Sequence, residues 1–121
     1  MALHPAVETH PSGDGGVRGV AEFTPEPEHR GNPGWLHGGM AATVLDHVAA
    51  RTAAAVLDSR VVTAKLELRY RQPVELTGGP YRVEAEASPP RRGTVRVAVA
   101  LVGSANKPLV QAKALFTRRP R

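Results

Sequence analysis

The chain has 121 residues, 41% of them hydrophobic and 22% charged, with 16 Lys and Arg against 11 Asp and Glu and no Cys. That is enough for one domain with one modest core, and it excludes disulfides, thiolate metal sites and a cysteine nucleophile. The formal charge of +5 favours anionic partners.

No run of eighteen apolar residues is present, so no membrane-spanning helix is expected. No charged-then-apolar leader opens the chain either, and with Cys absent a cytoplasmic setting is expected.

In chain order, residues 1–16 mix Pro, Gly, His and Ser and read as a flexible tail with little core value. Val17 to Thr24 places Val17, Gly19, Ala21 and Phe23 on one side and predicts a first strand. Residues 25–36 hold three Pro and two Gly and predict an irregular loop. The run from Gly38-Gly39 to Asp58 is rich in Ala and Leu, has no internal Pro, and predicts the one long helix. Four alternating runs follow, and they predict half-buried antiparallel strands. In the first, Val62, Ala64, Leu66, Leu68 and Tyr70 share a face; the others begin near Tyr81, Val95 and Val110. The fold class expected is α+β: one helix against a five-stranded antiparallel sheet, in a single domain over 17–118.

The five aromatics do not interleave with Lys and Arg as in single-strand binders, and one helix is too few for a helix-turn-helix. No nucleic-acid partner is expected; a small phosphate-bearing ligand suits the charge better. The five His lack metal-ligand spacing, so no metal is expected. Nucleophile-elbow, P-loop and dinucleotide patterns are absent.

Chemistry concentrates at the head of the helix. A helix beginning at Gly38-Gly39 offers free N–H groups and the positive end of the dipole, suited to an anion or to an oxygen gaining negative charge. The glycines also serve as a simple turn into the helix. Asp46 has poor helix propensity, and its i±3 and i±4 neighbours are Ala42, Thr43, Ala49 and Ala50, so no helix ion pair explains it. It is either a solvated side chain or a carboxylate placed where the helix approaches a neighbouring backbone or a ligand. Gly38 and Asp46 are roughly 12 Å apart along a helix axis. One small carbonyl therefore meets both only if two antiparallel helices pair across a twofold axis. His37 either donates a hydrogen bond or orients the loop; His47 points about 100° away from Asp46 and is read as structural.

His37-Gly38-Gly39 followed by Asp46, together with the run Thr63-Ala64-Lys65-Leu66-Glu67-Leu68-Arg69-Tyr70-Arg71-Gln72-Pro73-Val74, resembles the hotdog-fold acyl-CoA thioesterases of the phenylacetic-acid-degradation type. The resemblance implies a sheet wrapped round a central helix, and homodimers that share active sites and pair into tetramers. It implies that Gly38 N–H polarises the thioester carbonyl with His37 at the same turn, and that the partner's carboxylate, in the position of Asp46, acts as base or nucleophile. Thr63 stands where relatives hold the attacking water. Coenzyme A enters as part of the substrate, and no separate cofactor is implied. Relatives carry an Asn six residues before the His; here Gly31 stands there and Asn32 follows, so Asn32 is a displaced candidate for substrate contact, with Gly39 beside it. Trp35 and Leu36 either cap the acyl pocket or staple the loop. Arg91 and Arg92 are candidates for the phosphates of coenzyme A, and Arg118, Arg119 and Arg121 crowd the carboxyl end. A non-catalytic acyl-CoA-binding or sensing protein on the same fold is the alternative.

Overall fold

The computed structural model describes residues 3–26 and 34–120. In chain order it contains β1 (Glu8–Pro11), β2 (Val17–Phe23), α1 (Gly38–Leu57), β3 (Val61–Tyr70), β4 (Tyr81–Ala87), β5 (Thr94–Val102) and β6 (Pro108–Arg118). The strands form one antiparallel sheet in the order β1-β2-β4-β5-β6-β3, and α1 lies against its inner face. This is the hotdog architecture.

The sheet has six strands rather than the five expected. The additional one, β1, pairs Glu8 with Val20 through Pro11 with Val17. All four of its residues are exposed, so it carries no alternation by which a sequence could reveal it. A short edge strand ending in Pro needs none. Ahead of it Leu3 is buried and belongs to the core. Residues 3–11 therefore contribute to packing, contrary to the expectation for a tail.

Helix α1 buries Ala41, Val44, Leu45, Val48, Ala49, Thr52, Ala53 and Leu57, an i, i+3, i+4, i+7 stripe facing the sheet. Burying each of Val44, Leu45 and Val48 stabilises the fold by about 1.5–3 kcal/mol, so packing rather than helix propensity holds α1 in place. By length and average composition α1 is apolar enough to cross a membrane, although Asp46, His47 and Arg51 interrupt its apolar run; here the apolar stripe is covered by the sheet. Asp58 ends the helix in the left-handed conformation.

Gly19 sets the closest approach of helix to sheet. A Cβ there would overlap the hydroxyl of Thr52, which is fully buried and donates to the Val48 carbonyl at 2.8 Å. Gly19→Ala should lower stability by about 1–3 kcal/mol through overpacking. The measurement is the denaturant midpoint, and an unchanged midpoint would mean that α1 shifts freely on β2.

Strand β3 departs from simple alternation. Thr63 pairs with Phe116 and Lys65 with Leu115, leaving Ala64 as a bulge. Residues directly opposite in an antiparallel pair share a face, and Phe116 is fully buried. Thr63 therefore faces the helix, as do Leu66 and Leu68, opposite the buried Ala114 and Ala112. Val62 faces outward and is 39% exposed. The expected face of Val62, Ala64, Leu66, Leu68 and Tyr70 is thus corrected in its first two members, because one extra residue reverses the parity of a strand.

Candidate active site

The loop before α1 is tied to the segment after β3. Leu36 N–H donates to the Val74 carbonyl at 2.8 Å and Leu76 N–H to the Gly34 carbonyl at 2.9 Å, with a bridge between Trp35 and Glu75. Leu36 is buried, while Trp35 is 43% exposed. Both line a cavity of about 270 Å³ together with Gly38, Tyr70, Val74 and Val110. Leu36 thus both fixes the loop and walls the cavity. Asn32 lies outside the described residues, as does Arg121.

His37 caps the helix. Its backbone is extended, with φ −62° and ψ 135°, and its Nδ1 accepts from Gly39 N–H at 3.0 Å. The His37 carbonyl accepts from Met40 N–H at 3.0 Å and Ala41 N–H at 3.2 Å. Ala41 thus makes the first regular bond of the helix, and of the four amides that a helix start leaves open, those of residues 37–40, Gly39 and Met40 are engaged. The N–H groups of His37 and Gly38 have no partner among the described residues, and that of Gly38 is the one on the first residue of α1 itself. The Gly39 amide is not available to a ligand. Because Nδ1 is the acceptor, Nε2 carries the proton of a neutral His37 ring.

Tyr70 was not among the site residues expected from sequence. Its hydroxyl donates to the Gly38 carbonyl at 2.7 Å. Its ring lies 3.6 Å from where a Cβ on Gly38 would stand. It therefore holds the Gly38 carbonyl, whose peptide also carries the Gly39 N–H that His37 accepts, and so braces the first turn of α1 from its other side. The only signal for it in the sequence is its place before Pro73, which does not tell a wall residue from a strand end.

Asp46 is half-buried on the flank of α1. The Thr63 hydroxyl donates to its Oδ1 at 2.8 Å, so the bulge at Ala64 delivers Thr63 to the carboxylate. This leaves Oδ2 for a second donor. Within one chain Asp46 and Gly38 do not meet, since α1 separates them by roughly 12 Å.

His47 points elsewhere. Its Nε2 lies 2.9 Å from the Pro5 carbonyl, and its ring packs edge-on to His4 with centroids 4.8 Å apart. Burial, more than any other cause, holds its pKa below the ordinary 6.5, with the charges of His4 and Arg51 adding to this and the Pro5 carbonyl and Asp46 opposing. The unfolded chain therefore binds this proton more tightly than the folded one, so the contribution to stability is present above about pH 6.5 and declines as pH falls below it. His47→Gln, which keeps a donor for Pro5, should flatten the loss of stability between pH 7.5 and 5.5 in urea titrations. An unaltered slope would assign that loss to other groups.

Arg91 and Arg92 lie at the opposite end of the molecule. They open the β4–β5 turn, in which Arg91 and Thr94 exchange backbone hydrogen bonds of 2.9 and 3.0 Å. Arg92 and Gly93 both have positive φ, at 54° and 72°. That turn sits beside the carboxyl end of α1, about 28 Å along the helix from Gly38 of the same chain. The expected grouping of Arg91 and Arg92 with Gly38 is thus not made within one chain. A groove of about 640 Å³ is also remote: it runs over the outer face of the sheet among Lys65, Glu67, Glu86, Arg96 and Lys113. Among the described residues no cluster of three His, Asp or Glu side chains is disposed to hold a metal ion.

A sequence profile of the thioesterase superfamily matches residues 33–106, the stretch holding His37, Gly38, Asp46, Thr63 and Tyr70. Solved structures share the fold over nearly the whole chain. A thioesterase superfamily protein from Shewanella loihica PV-4 is 25% identical with a TM-score of 0.71, over 95% of this chain and 92% of that one. A phenylacetic-acid-degradation-related protein from Ralstonia eutropha JMP134 is 21% identical with a TM-score of 0.79, over 95% and 85%. Zebra fish thioesterase superfamily member 2 is 21% identical with a TM-score of 0.78, over 93% and 81%. The last two bear on the fold alone. No curated protein matches the chain by sequence.

Proposed function

Because this chain belongs to the thioesterase superfamily, we propose that it is an acyl-CoA thioesterase that hydrolyses an acyl-CoA to the free acid and coenzyme A. The observation that carries this reading is the unpartnered amide of Gly38, the first residue of α1, at the positive end of the helix and bordering an apolar cavity. A thioester carbonyl seated there gives its oxygen a hydrogen bond that strengthens as negative charge develops. The acyl group fits the cavity walled by Trp35, Leu36 and Val110.

The catalytic group is the carboxylate of Asp46, supplied by the second subunit of a homodimer. Its Thr63 hydrogen bond orients it. As a base it takes a proton from water as the water oxygen bonds to the carbonyl carbon; the C–S bond then breaks and the thiolate collects that proton. As a nucleophile it forms an anhydride with loss of the thiolate, and water then cleaves the anhydride.

The dimer is supported by the state of β3. It is a ten-residue edge strand, and Val62 and Tyr70 on it are among the exposed large hydrophobics. Such an edge invites pairing with a second copy. Antiparallel pairing of β3 with its twofold mate sets the two α1 helices antiparallel. Assembly of dimers into tetramers is part of the same reading. Asp46→Ala should lower hydrolysis of an acyl-CoA panel by on the order of 10²–10⁴-fold, with the circular dichroism spectrum and the dimer retained. Continued turnover would remove Asp46 from the chemistry. Binding of acyl-CoA without coenzyme A release by the unaltered protein would favour the sensing alternative.

A further inference from the structure

Two planar peptides border Gly38, and together they set where its N–H points. A glycine has no side chain to restrict its own dihedral angles, so that direction has to come from partners. The peptide before it is held at the His37 carbonyl, which accepts from Met40 N–H at 3.0 Å and Ala41 N–H at 3.2 Å. The peptide after it is gripped at both ends. Its Gly39 N–H donates to His37 Nδ1 at 3.0 Å, and its Gly38 carbonyl accepts from the Tyr70 hydroxyl at 2.7 Å. Glycine at 39 makes room for this grip, since a Cβ there would lie 3.2 Å from His37 Nδ1. The other ties come from the first turn itself, whereas Tyr70 reaches it from the sheet, 32 residues along the chain. Tyr70 ends β3 and is 52% exposed. A tyrosine so placed can leave its hydroxyl in water; this one turns inward to a helical carbonyl. A carbonyl oxygen has two lone pairs, so it can accept from Tyr70 while serving the helix.

We propose that Tyr70 is a positioning residue for the hydrolysis: its hydroxyl ties the first turn of α1 to the sheet and so aims the Gly38 N–H at the oxygen of a thioester seated in the cavity. The inference rests on the thioesterase reading above. Tyr70 touches no reacting atom and acts through Gly38. The bonds internal to the first turn keep its shape but leave it able to tilt as a unit. Leu36 N–H, bonded to the Val74 carbonyl at 2.8 Å, anchors the loop just before the cap and by itself leaves a pivot at His37. The Tyr70 bond supplies a second anchor beyond that pivot. With both flanking peptides held and the turn anchored at two points, the Gly38 N–H keeps one direction, toward the cavity that Gly38 and Tyr70 both line. Such aim matters because an oxyanion donor works at about 2.7–3.1 Å from the place the charged oxygen will occupy. A site member has to be held to within about 0.5 Å of that geometry. The hydroxyl therefore matters more to the rate than to the fold: the Tyr70 ring is half exposed, and the apolar stripe of α1 is packed on the sheet without it.

The test uses Tyr70→Phe, which keeps the ring as cavity wall and removes the hydroxyl. Misplacing a reacting group by about 1 Å costs on the order of 10²-fold, so a loosened donor should lower kcat for an acyl-CoA about tenfold, with KM within about twofold. An unchanged kcat, or a loss carried by KM, would overturn the inference and leave Tyr70 as a wall residue only. A double-mutant cycle separates aim from general stability. In a Gly38→Pro background the N–H is gone and the ring fixes φ, so adding Tyr70→Phe should lower the remaining kcat by less than about twofold. The same loss in both backgrounds would mean that Tyr70 acts elsewhere than through the Gly38 amide, and would overturn the inference. Amide hydrogen exchange reads the brace without substrate. The Gly39 amide should exchange several-fold faster in Tyr70→Phe, with Val48 in the buried stretch of α1 unchanged. Equal exchange at Gly39 would show that the hydroxyl does not hold the turn. The functional reading has its own readout. If the unaltered protein releases coenzyme A from no acyl-CoA, the thioesterase reading fails and the role of Tyr70 in hydrolysis with it. Equal turnover by the unaltered protein and Tyr70→Phe removes the role of Tyr70 alone.

Discussion

Gly38→Pro should lower kcat for acyl-CoA hydrolysis by on the order of 10²–10³-fold, the usual cost of deleting one oxyanion donor, while leaving the fold as stable as before. The substitution removes the Gly38 N–H, which has no partner among the described residues. Position 38 is the first residue of α1, directly after the cap, where proline is favoured because its missing N–H has no helical acceptor. Proline also requires an extended residue before it, and His37 is already at φ −62° and ψ 135°. A side-chain carbon at 38 meets the Tyr70 ring only at an ordinary contact distance of 3.6 Å. Turnover and denaturant midpoint are measured on the same preparation. Activity kept with the midpoint unchanged would show that the amide does not bear the developing charge. A collapsed midpoint would show instead that the helix start does not tolerate the ring.

Mixing two inactive chains should restore activity. Homodimers of Gly38→Pro lack the donor in both sites, and homodimers of Asp46→Asn lack the carboxylate in both. In a heterodimer, the chain altered at position 46 still offers its Gly38 amide, and the chain altered at position 38 still offers its Asp46 carboxylate. These two intact groups face each other, so one of the two sites is whole. Refolding equal amounts together makes about half the dimers mixed, so roughly a quarter of the unaltered activity should return. A site confined to one chain predicts no recovery at any mixing ratio. The physical reason for expecting recovery is that α1 is rigid and straight enough to keep its own Gly38 and Asp46 roughly 12 Å apart, farther than one carbonyl group can reach.

Much of this arrangement was legible in the chain because it follows from local pattern. The period-two runs of β2, β4, β5 and β6 and the apolar stripe of α1 are consequences of side chains facing one core. Strand β1 escaped because nothing in it is buried; backbone pairing alone places it. The His37-Gly38-Gly39 turn marked the helix mouth, but two glycines in a row do not say which amide remains open. That depends on a ring nitrogen of His37 folding back onto Gly39.

The amino-acid sequence by itself determined an α+β chain with one amphipathic helix, a glycine mouth with a carboxylate eight residues on, and an unbalanced positive charge, since composition and periodicity act through neighbours a few residues away. Only the tertiary structure decided that Thr63 meets Asp46, that Tyr70 holds the Gly38 carbonyl, and that Arg91 and Arg92 lie at the far end of α1. Each of these depends on residues distant in the chain whose approach is set by strand register and helix length: a one-residue bulge turns Thr63 inward, and twenty helical residues carry the two arginines away from Gly38 of the same chain.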